Sequence, residues 1–386
     1  MTTPATTITP RRPGGSARRP RREKWEVLIV GAGPAGLSTW LHLHALAPQV
    51  AARTLVIDRA RFPRDKPCGG AITPLGQAIL AGLDASVAVP TAIATAIEFR
   101  LDRRSHVFRH PEALRVVRRV EFDAALVRLA TARGMTLRQG EAFRSLAPGR
   151  GGVAVETARN AYTARVVVAA DGAQSAVRRA VQPDGRPRLA RLLEVVTPIA
   201  PTELDVGRSD AVFDFTALAA GLPGYVWHFP CVVGGAPAAT RGVFDSRVRA
   251  GGRRPDLRQI LQAALAERAV DWSAAHVAAH PIRLFDPAAP PSAPHVLFVG
   301  DAAGSDAALG EGIAHALDFG DLAANAIADA FDAGDFSFAD YAARLRAHPV
   351  GQTLHHRRRL ADDLYGSGAG SSVKSLELLA GSLLPS

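Results

Sequence analysis

Three glycines, Gly31, Gly33 and Gly36, stand between a short apolar run (residues 26–30) and a stretch with helical character (residues 34–47). In that setting the first glycine permits a tight turn. The second lets the backbone approach a pyrophosphate, and the third lets helix and strand pack closely. A helix opening at Pro34 and Ala35 presents free N–H groups and the positive end of its dipole to phosphates. Asp58 closes a second β-rich run (residues 54–58), 22 residues after Gly36, with Arg59 beside it. A carboxylate at that place accepts hydrogen bonds from a ribose. Strand, glycine loop, helix, strand and acid together predict a dinucleotide site without saying which dinucleotide.

Two later strand ends narrow the choice. One is Val166-Val-Val-Ala-Ala-Asp171-Gly172; the other is Phe298-Val-Gly-Asp301-Ala-Ala-Gly304, followed by Gly310-Glu-Gly312-Ile313. A strand-end carboxylate at Asp301 suits a ribityl hydroxyl. A helix opening near residues 310–313 aims its N-terminus at an anion, and a reduced flavin carries negative charge around N1 and the C2 carbonyl. These residues predict FAD.

Two further elements bear chemistry. In Phe62-Pro-Arg-Asp-Lys66-Pro-Cys68-Gly69-Gly70 the glycines permit close approach to a cofactor. Cys68 is then either a thiol at the site or a small buried hydrophobe. Lys66 is conspicuous because the other lysines are Lys24 and Lys374. A cofactor contact and a solvated loop charge both suit it. In Gly224-Tyr225-Val-Trp227-His-Phe229-Pro230, Tyr225, Trp227 and Phe229 share one side of a strand. That side is either a substrate wall or a sheet core.

The order of the glycine loop, the Asp-Gly turn and the Gly-Asp turn resembles the FAD superfamily of para-hydroxybenzoate hydroxylase. The Lys-x-Cys-Gly-Gly and Tyr-x-Trp-x-Phe-Pro elements are similar to those of geranylgeranyl reductases. The resemblance runs over residues 25–330. It implies that Gly31, Gly33, Gly36 and Asp58 hold the adenylate half of FAD. It places Arg119 near the ribityl-pyrophosphate, Asp301 on the ribityl chain and Gly310, Gly312 and Ile313 against the flavin ring. Cys68, Gly69 and Gly70 would lie along the isoalloxazine, and Tyr225, Trp227 and Phe229 would wall the substrate cavity. Ala307 and Ala308 depart from the family, which often carries a proline after the Gly-Asp turn.

The elements that must position these residues read as an α/β protein: an FAD-binding Rossmann-like three-layer domain, an inserted sheet-rich substrate domain and a helical C-terminal segment. Residues 25–75, 115–186 and 291–335 are assigned to the first, with a helix at 119–132 and a β-meander over 140–170. Residues 76–114 and 187–290 are assigned to the second, and 336–386 to the third. Residues 1–24 read as a disordered basic tail carrying +6 of the chain's formal +10. The excess is mostly arginine with no stacking aromatics between, so nucleic acid is not the expected partner. No apolar stretch is long enough to span a membrane. Cys68 and Cys231 make no disulfide scaffold, which predicts a reducing, cytoplasmic setting. No histidine cluster has metal-ligand spacing. The glycine-rich run 366–370 follows no strand and reads as a loop. The leucines of 373–384 suit a helix packed on its own domain, or peripheral contact with a membrane.

The resemblance implies reduction of C=C bonds in an isoprenoid or another long hydrophobic substrate by hydride from flavin N5. Cys68 and Tyr225 are the candidate proton donors. Electrons would come from NAD(P)H visiting transiently or from a reduced carrier protein. One alternative is a monooxygenase or halogenase working through a flavin C4a-hydroperoxide on a natural-product precursor. Another is a flavoprotein relaying electrons to a quinone or partner.

Overall fold

A computed structural model describes residues 22–101, 104–149, 151–199, 210–248, 254–366, 378, 379, 381 and 383. Two eight-stranded sheets organise it. The first has parallel strands Val296–Phe298, Ala161–Ala169, Glu23–Val30, Thr54–Asp58 and Thr136–Gln139, side by side in that order. The hairpin Phe143–Gly149 and Gly152–Thr157 joins antiparallel to Ala161–Ala169, completing the expected meander. Val27, Leu28, Ile29, Leu55, Val56, Ile57, Val166, Val167 and Val168 are all fully buried. A parallel sheet covered on both faces demands such uninterrupted apolar runs.

Helices Pro34–Leu46, Arg119–Ala132 and Ile313–Ala333 share the core of this sheet through Leu37, Trp40, Phe122, Leu126, Leu317 and Phe319. The first and last cross closely at Gly320. A Cβ there would lie 2.3 Å from Ser38 Oγ. Ser38 Oγ also donates to the Leu317 carbonyl at 2.6 Å.

The second sheet runs Ala278–Arg283, Leu189–Pro198, Ala236–Asp245, Gly224–Val233, Asp210–Asp214, Thr91–Leu101, Arg104–Val117 and Ala71–Ile72. Its pairs are antiparallel except Asp210–Asp214 with Thr91–Leu101. Alternation gives its faces separate cores. Phe99, Phe213, Tyr225, Trp227, Phe229 and Phe244 fill one. Val195, Val243 and the helix Leu257–Ala266 fill the other. Helices Tyr341–Ala347 and Pro349–Gly366 follow the long helix Ile313–Ala333.

One boundary differs from the sequence reading. The first strand begins at Glu23, inside the segment read as tail, because Glu23 pairs in register with Tyr162 and is bridged by Arg138 at 2.8 Å. The long helix begins at Ile313, within the expected opening, and Glu311 lies in the preceding loop, where Arg357 and Thr73 hold it. Residues 1–21, 367–370 and most of 373–384 lie outside the described residues; Leu379 and Leu383 are buried in the aromatic core. Among the described residues no helix is long and apolar enough to cross a membrane.

Candidate functional site

The glycine loop is tight. Gly31 has φ +113°, and a Cβ there would lie 2.2 Å from the Ala170 carbonyl oxygen. A Cβ on Gly36 would lie 2.0 Å from the Gly31 carbonyl oxygen. Gly33 is different: the nearest atom to its Cβ position is Arg64 Nη2 at 3.5 Å, and the position faces a cavity. Asp58 braces this loop. Its Oδ2 accepts from Ala32 N–H at 2.8 Å and its Oδ1 from Ala60 N–H at 2.7 Å. Asp171 Oδ2 likewise accepts from Ala176 and Val177 at the head of the helix Ala176–Val181.

After Asp58 the chain passes through Arg59 and a cis Phe62-Pro63 bond and runs along the cavity to Gly70. Arg64 pairs with Asp123 at 2.9 Å, and Arg119 grips the same fully buried carboxylate with both arms at 2.7 Å. Burial opposes the Arg119 charge, yet Asp123 and then Cys68 hold its pKa above the ordinary value. Arg119 thus stands in the cavity wall with its charge already half matched by Asp123.

Lys66 Nζ reaches Asp301 Oδ2 at 2.9 Å, and Ser305 Oγ donates to Asp301 Oδ1 at 2.6 Å. Burial works against the Asp301 charge, but Lys66 and Ser305 hold its carboxyl well below the usual range. The same Lys66 charge bears on His280, whose ring Nε2 is buried and has no hydrogen-bond partner among the described residues. Burial first, then Lys66, lowers the His280 pKa to about 4, so the ring is neutral at neutral pH.

The loop from Asp306 to Gly312 is built from outside itself. Asp306 accepts from Ala308 and Leu309 N–H at 2.7 and 3.1 Å. Tyr225 and Tyr365 donate to the carbonyls of Leu309 and Ala308 at 2.5 and 2.6 Å. Arg357, from the helix Pro349–Gly366, bridges Asp306 at 2.9 Å and Glu311 at 2.6 Å. Thr73 Oγ1 donates to the other Glu311 oxygen at 2.7 Å. Burial raises the Glu311 carboxyl, but Arg357, His315 and Thr73 outweigh it and leave it below its ordinary pKa. Asp306 thus caps the turn through Ala307 and Ala308, both of which are buried. Gly310, Gly312 and Ile313 then present the start of the long helix to the cavity.

The Cys68-Gly69-Gly70 segment lies against the aromatic wall. A Cβ on Gly69 would sit 3.0 Å from Phe229 Cε2 and 3.4 Å from Trp227 Nε1. Gly242 makes room behind the indole, since a Cβ there would meet Trp227 Cη2 at 2.3 Å. Cys68 N–H donates to Glu194 Oε2 at 2.6 Å, and Gly70 N–H points to Cys68 Sγ at 3.4 Å. Tyr225 is fully committed to Leu309; burial, then the charges of Asp306 and Cys68, push its phenol well above its ordinary pKa.

One cavity of about 960 Å³ is lined by the glycine loop, Lys66 to Gly70, Tyr225, Trp227, Phe229 and residues 309–313, with Phe213 and Phe244 also in its wall, while Asp123, Glu194, Asp306, Arg357 and Tyr365 are not part of the lining. It therefore gathers every predicted cofactor residue except Gly36, which acts by packing behind the loop. The sequence reading missed Glu194, His280, Asp123 and Arg357. For Glu194 a signal existed: it is the lone acid in the strand Leu189–Pro198, flanked on both sides by apolar residues. The residues fit FAD. The space in front of Gly33 is open, the partnerless Nη1 of Arg64 and Nε2 of His280 await acceptors or donors, and the volume is at the upper end of small-molecule sites.

Residues 24–304 match the family described as FAD binding domain. Over 211 residues the chain is 24% identical to an uncharacterised protein of Methanosarcina barkeri, 54% of this chain and 51% of that one. Over 55 residues it is 49% identical to the menaquinone reductase of Mycobacterium tuberculosis, 14% of this chain and 12% of that one. The matches thus span about half, or less, of these curated relatives. Among solved structures, a geranylgeranyl bacteriochlorophyll reductase-like protein of Thermoplasma acidophilum has TM-score 0.69 at 20% identity, covering 94% of this chain and 97% of that one. CmlS, a flavin-dependent halogenase, has TM-score 0.66 at 19% identity, covering 95% and 68%. At these identities the likeness is one of fold.

Proposed function

Because the chain belongs to the FAD binding domain family, we propose that it is an FAD-dependent reductase that saturates carbon–carbon double bonds of an isoprenoid or similarly long hydrophobic substrate. One observation carries this reading: Phe213, Tyr225, Trp227, Phe229 and Phe244 close the same cavity that opens on the glycine loop, with Cys68, Gly69 and Gly70 between the two. A wall of five aromatic rings suits an apolar chain and excludes water from it. The names of the menaquinone reductase and of the geranylgeranyl bacteriochlorophyll reductase-like protein support the same substrate class.

When bound, the flavin supplies a hydride to one alkene carbon. The chain must supply a proton to the neighbouring carbon, because an isolated alkene accepts hydride poorly without one. Cys68 is the donor this reading assigns, since it lines the cavity beside Gly69, which packs against Phe229 and Trp227. Tyr225 orients instead of donating: its proton is given to the Leu309 carbonyl and its acidity is suppressed by burial. Lys66 and Arg119 place positive charge in the cavity wall, where a reduced, anionic cofactor is favoured. NAD(P)H or a reduced carrier protein provides the electrons.

Anaerobic reoxidation tests the reading. The flavoprotein is reduced with dithionite and mixed with prenyl lipids and polyenes without oxygen. Return of the oxidised flavin absorbance supports the reductase. Flavin that stays bleached until air enters overturns it in favour of an oxygen-using enzyme on the same fold.

A further inference from the structure

We propose that Glu194 is a positioning residue: it ties the Cys68-Gly69-Gly70 loop to the substrate sheet and so sets where the Cys68 thiol stands in the cavity. Three donors converge on its carboxylate. Cys68 N–H gives to Oε2 at 2.6 Å, Arg118 Nη1 to Oε1 at 2.9 Å and Thr240 Oγ1 to Oε1 at 3.2 Å. Thr240 in turn accepts from Trp227 Nε1 at 3.3 Å. A continuous line of hydrogen bonds thus joins the indole in the aromatic wall to the backbone of Cys68. The Trp227-to-Thr240 and Thr240-to-Glu194 bonds run head to tail and so polarise one another in a low-dielectric interior. Glu194 is 2% exposed, and burial pushes its carboxyl up against the pull of Arg118.

The residue type matters as well as the place. An ionised carboxylate is acceptor-only on both oxygens, which suits three converging donors. A glutamine offers one acceptor oxygen and one donor group. It must turn its amide N–H₂ either toward Cys68 N–H, releasing the loop, or toward Arg118, which repels it. Removing Arg118 lifts that conflict: the glutamine oxygen can hold Cys68 N–H while its N–H₂ donates to Thr240 Oγ1.

The inference rests on the reading of Cys68-Gly69-Gly70 as the cofactor-facing loop, and its test uses no substrate. A failure of prenyl lipids to reoxidise the flavin is therefore a separate result. The probe is alkylation of Cys68 by iodoacetamide in the FAD-loaded protein, followed by peptide mass spectrometry. Cys231 is a weak competitor, since burial raises its thiol to about 11 and it is 2% exposed. In Glu194→Gln the Cys68 rate should change by about tenfold. In Arg118→Met/Glu194→Gln it should return to within about twofold of the parent, a rescue that a merely structural role would not show. An unchanged rate in Glu194→Gln, or a double variant no closer to the parent, overturns the proposal. Should Glu194→Gln fail to fold, Thr240→Val cuts the line on the Trp227 side alone. A shift of about threefold in Cys68 alkylation is then expected, and an unchanged rate overturns the proposal.

Discussion

Alanine at Gly33 and alanine at Gly36 should fail in different ways, and the difference tests the cofactor site directly. Gly33 has φ −82° and ψ −177°, an extended conformation open to any residue. Its added Cβ would meet nothing nearer than 3.5 Å. The apoprotein of Gly33→Ala should be as stable as the parent, or about 0.4–1 kcal/mol more so, because the unfolded chain loses freedom. FAD is what the methyl would meet. An overpacking cost of about 1–3 kcal/mol on the bound state corresponds to FAD binding weakened about 5- to 150-fold. At Gly36 the Cβ would lie 2.0 Å from the Gly31 carbonyl oxygen, so backbone must move by about 1 Å before cofactor is considered. Gly36→Ala should lower apoprotein stability and FAD affinity together. The assay is calorimetric titration of each apoprotein with FAD, beside its thermal unfolding. If Gly33→Ala binds FAD like the parent, or its apoprotein is destabilised as much as that of Gly36→Ala, the loop is not the pyrophosphate cradle.

Four further outcomes follow from the site. Burial lowers His228 to about 2 and His280 to about 4, both below the unfolded value of about 6.5, so the unfolded state takes up the protons first. Their contribution is whole above about pH 6.5 and lost as pH falls, by up to about 1.4 kcal/mol per pH unit for each; a flat urea-unfolding profile from pH 7 to 4 would refute this. Lys66→Met leaves Asp301 without its cation, costing about 1–3 kcal/mol. Because the Asp301 pKa is depressed, its stabilisation is present above the unfolded carboxylate value and lost on acidification, and the variant should lose it at higher pH in an acid titration. Arg357→Met strands Asp306 and Glu311, both nearly inaccessible, and should cost about 3–5 kcal/mol in denaturant unfolding and weaken FAD binding with it. Tyr225→Phe keeps the ring and loses the bond to Leu309, so it should weaken FAD retention by about fivefold more than it slows flavin reoxidation by substrate; Cys68→Ser should show the reverse pattern in the same two assays.

The cofactor half of the fold was legible because its signals are local. A glycine is needed at Gly31 for its positive φ and at Gly36 for contact with the Gly31 carbonyl five residues before it, so both facts fall within the one loop. Apolar runs announce a parallel sheet by themselves. The helix Arg119–Ala132 showed its stripe, and the Tyr225, Trp227 and Phe229 side of its strand showed alternation. What escaped was everything assembled at a distance. Lys66 and Asp301 are 235 residues apart, Cys68 and Glu194 are 126, and Arg119 reaches Cys68 only because the strand Arg104–Val117 returns to pair with Ala71–Ile72. Periodicity carries no information about such meetings. It could say that Lys66 was unusual, but not that its partner would be the strand-end acid proposed for the ribityl chain.

These distant bridges share a logic. The glycine loops come from the first sheet, the aromatic wall from the second, and the loop before Ile313 stands between them. Beside the ion pairs, buried polar side chains act on backbone at these junctions: Glu194 on Cys68 N–H, Tyr225 on the Leu309 carbonyl, Tyr365 on the Ala308 carbonyl. Backbone contacts of this kind constrain position while leaving the side chains that face the cavity free to vary. The same fold occurs in a reductase-like protein and in a halogenase, so the fold by itself does not fix the reaction. The dinucleotide loops and their braces need only hold the cofactor. On the proposed function, the choice of reaction falls to the side chains in the cavity wall, Cys68 and the rings of Phe213, Tyr225, Trp227, Phe229 and Phe244.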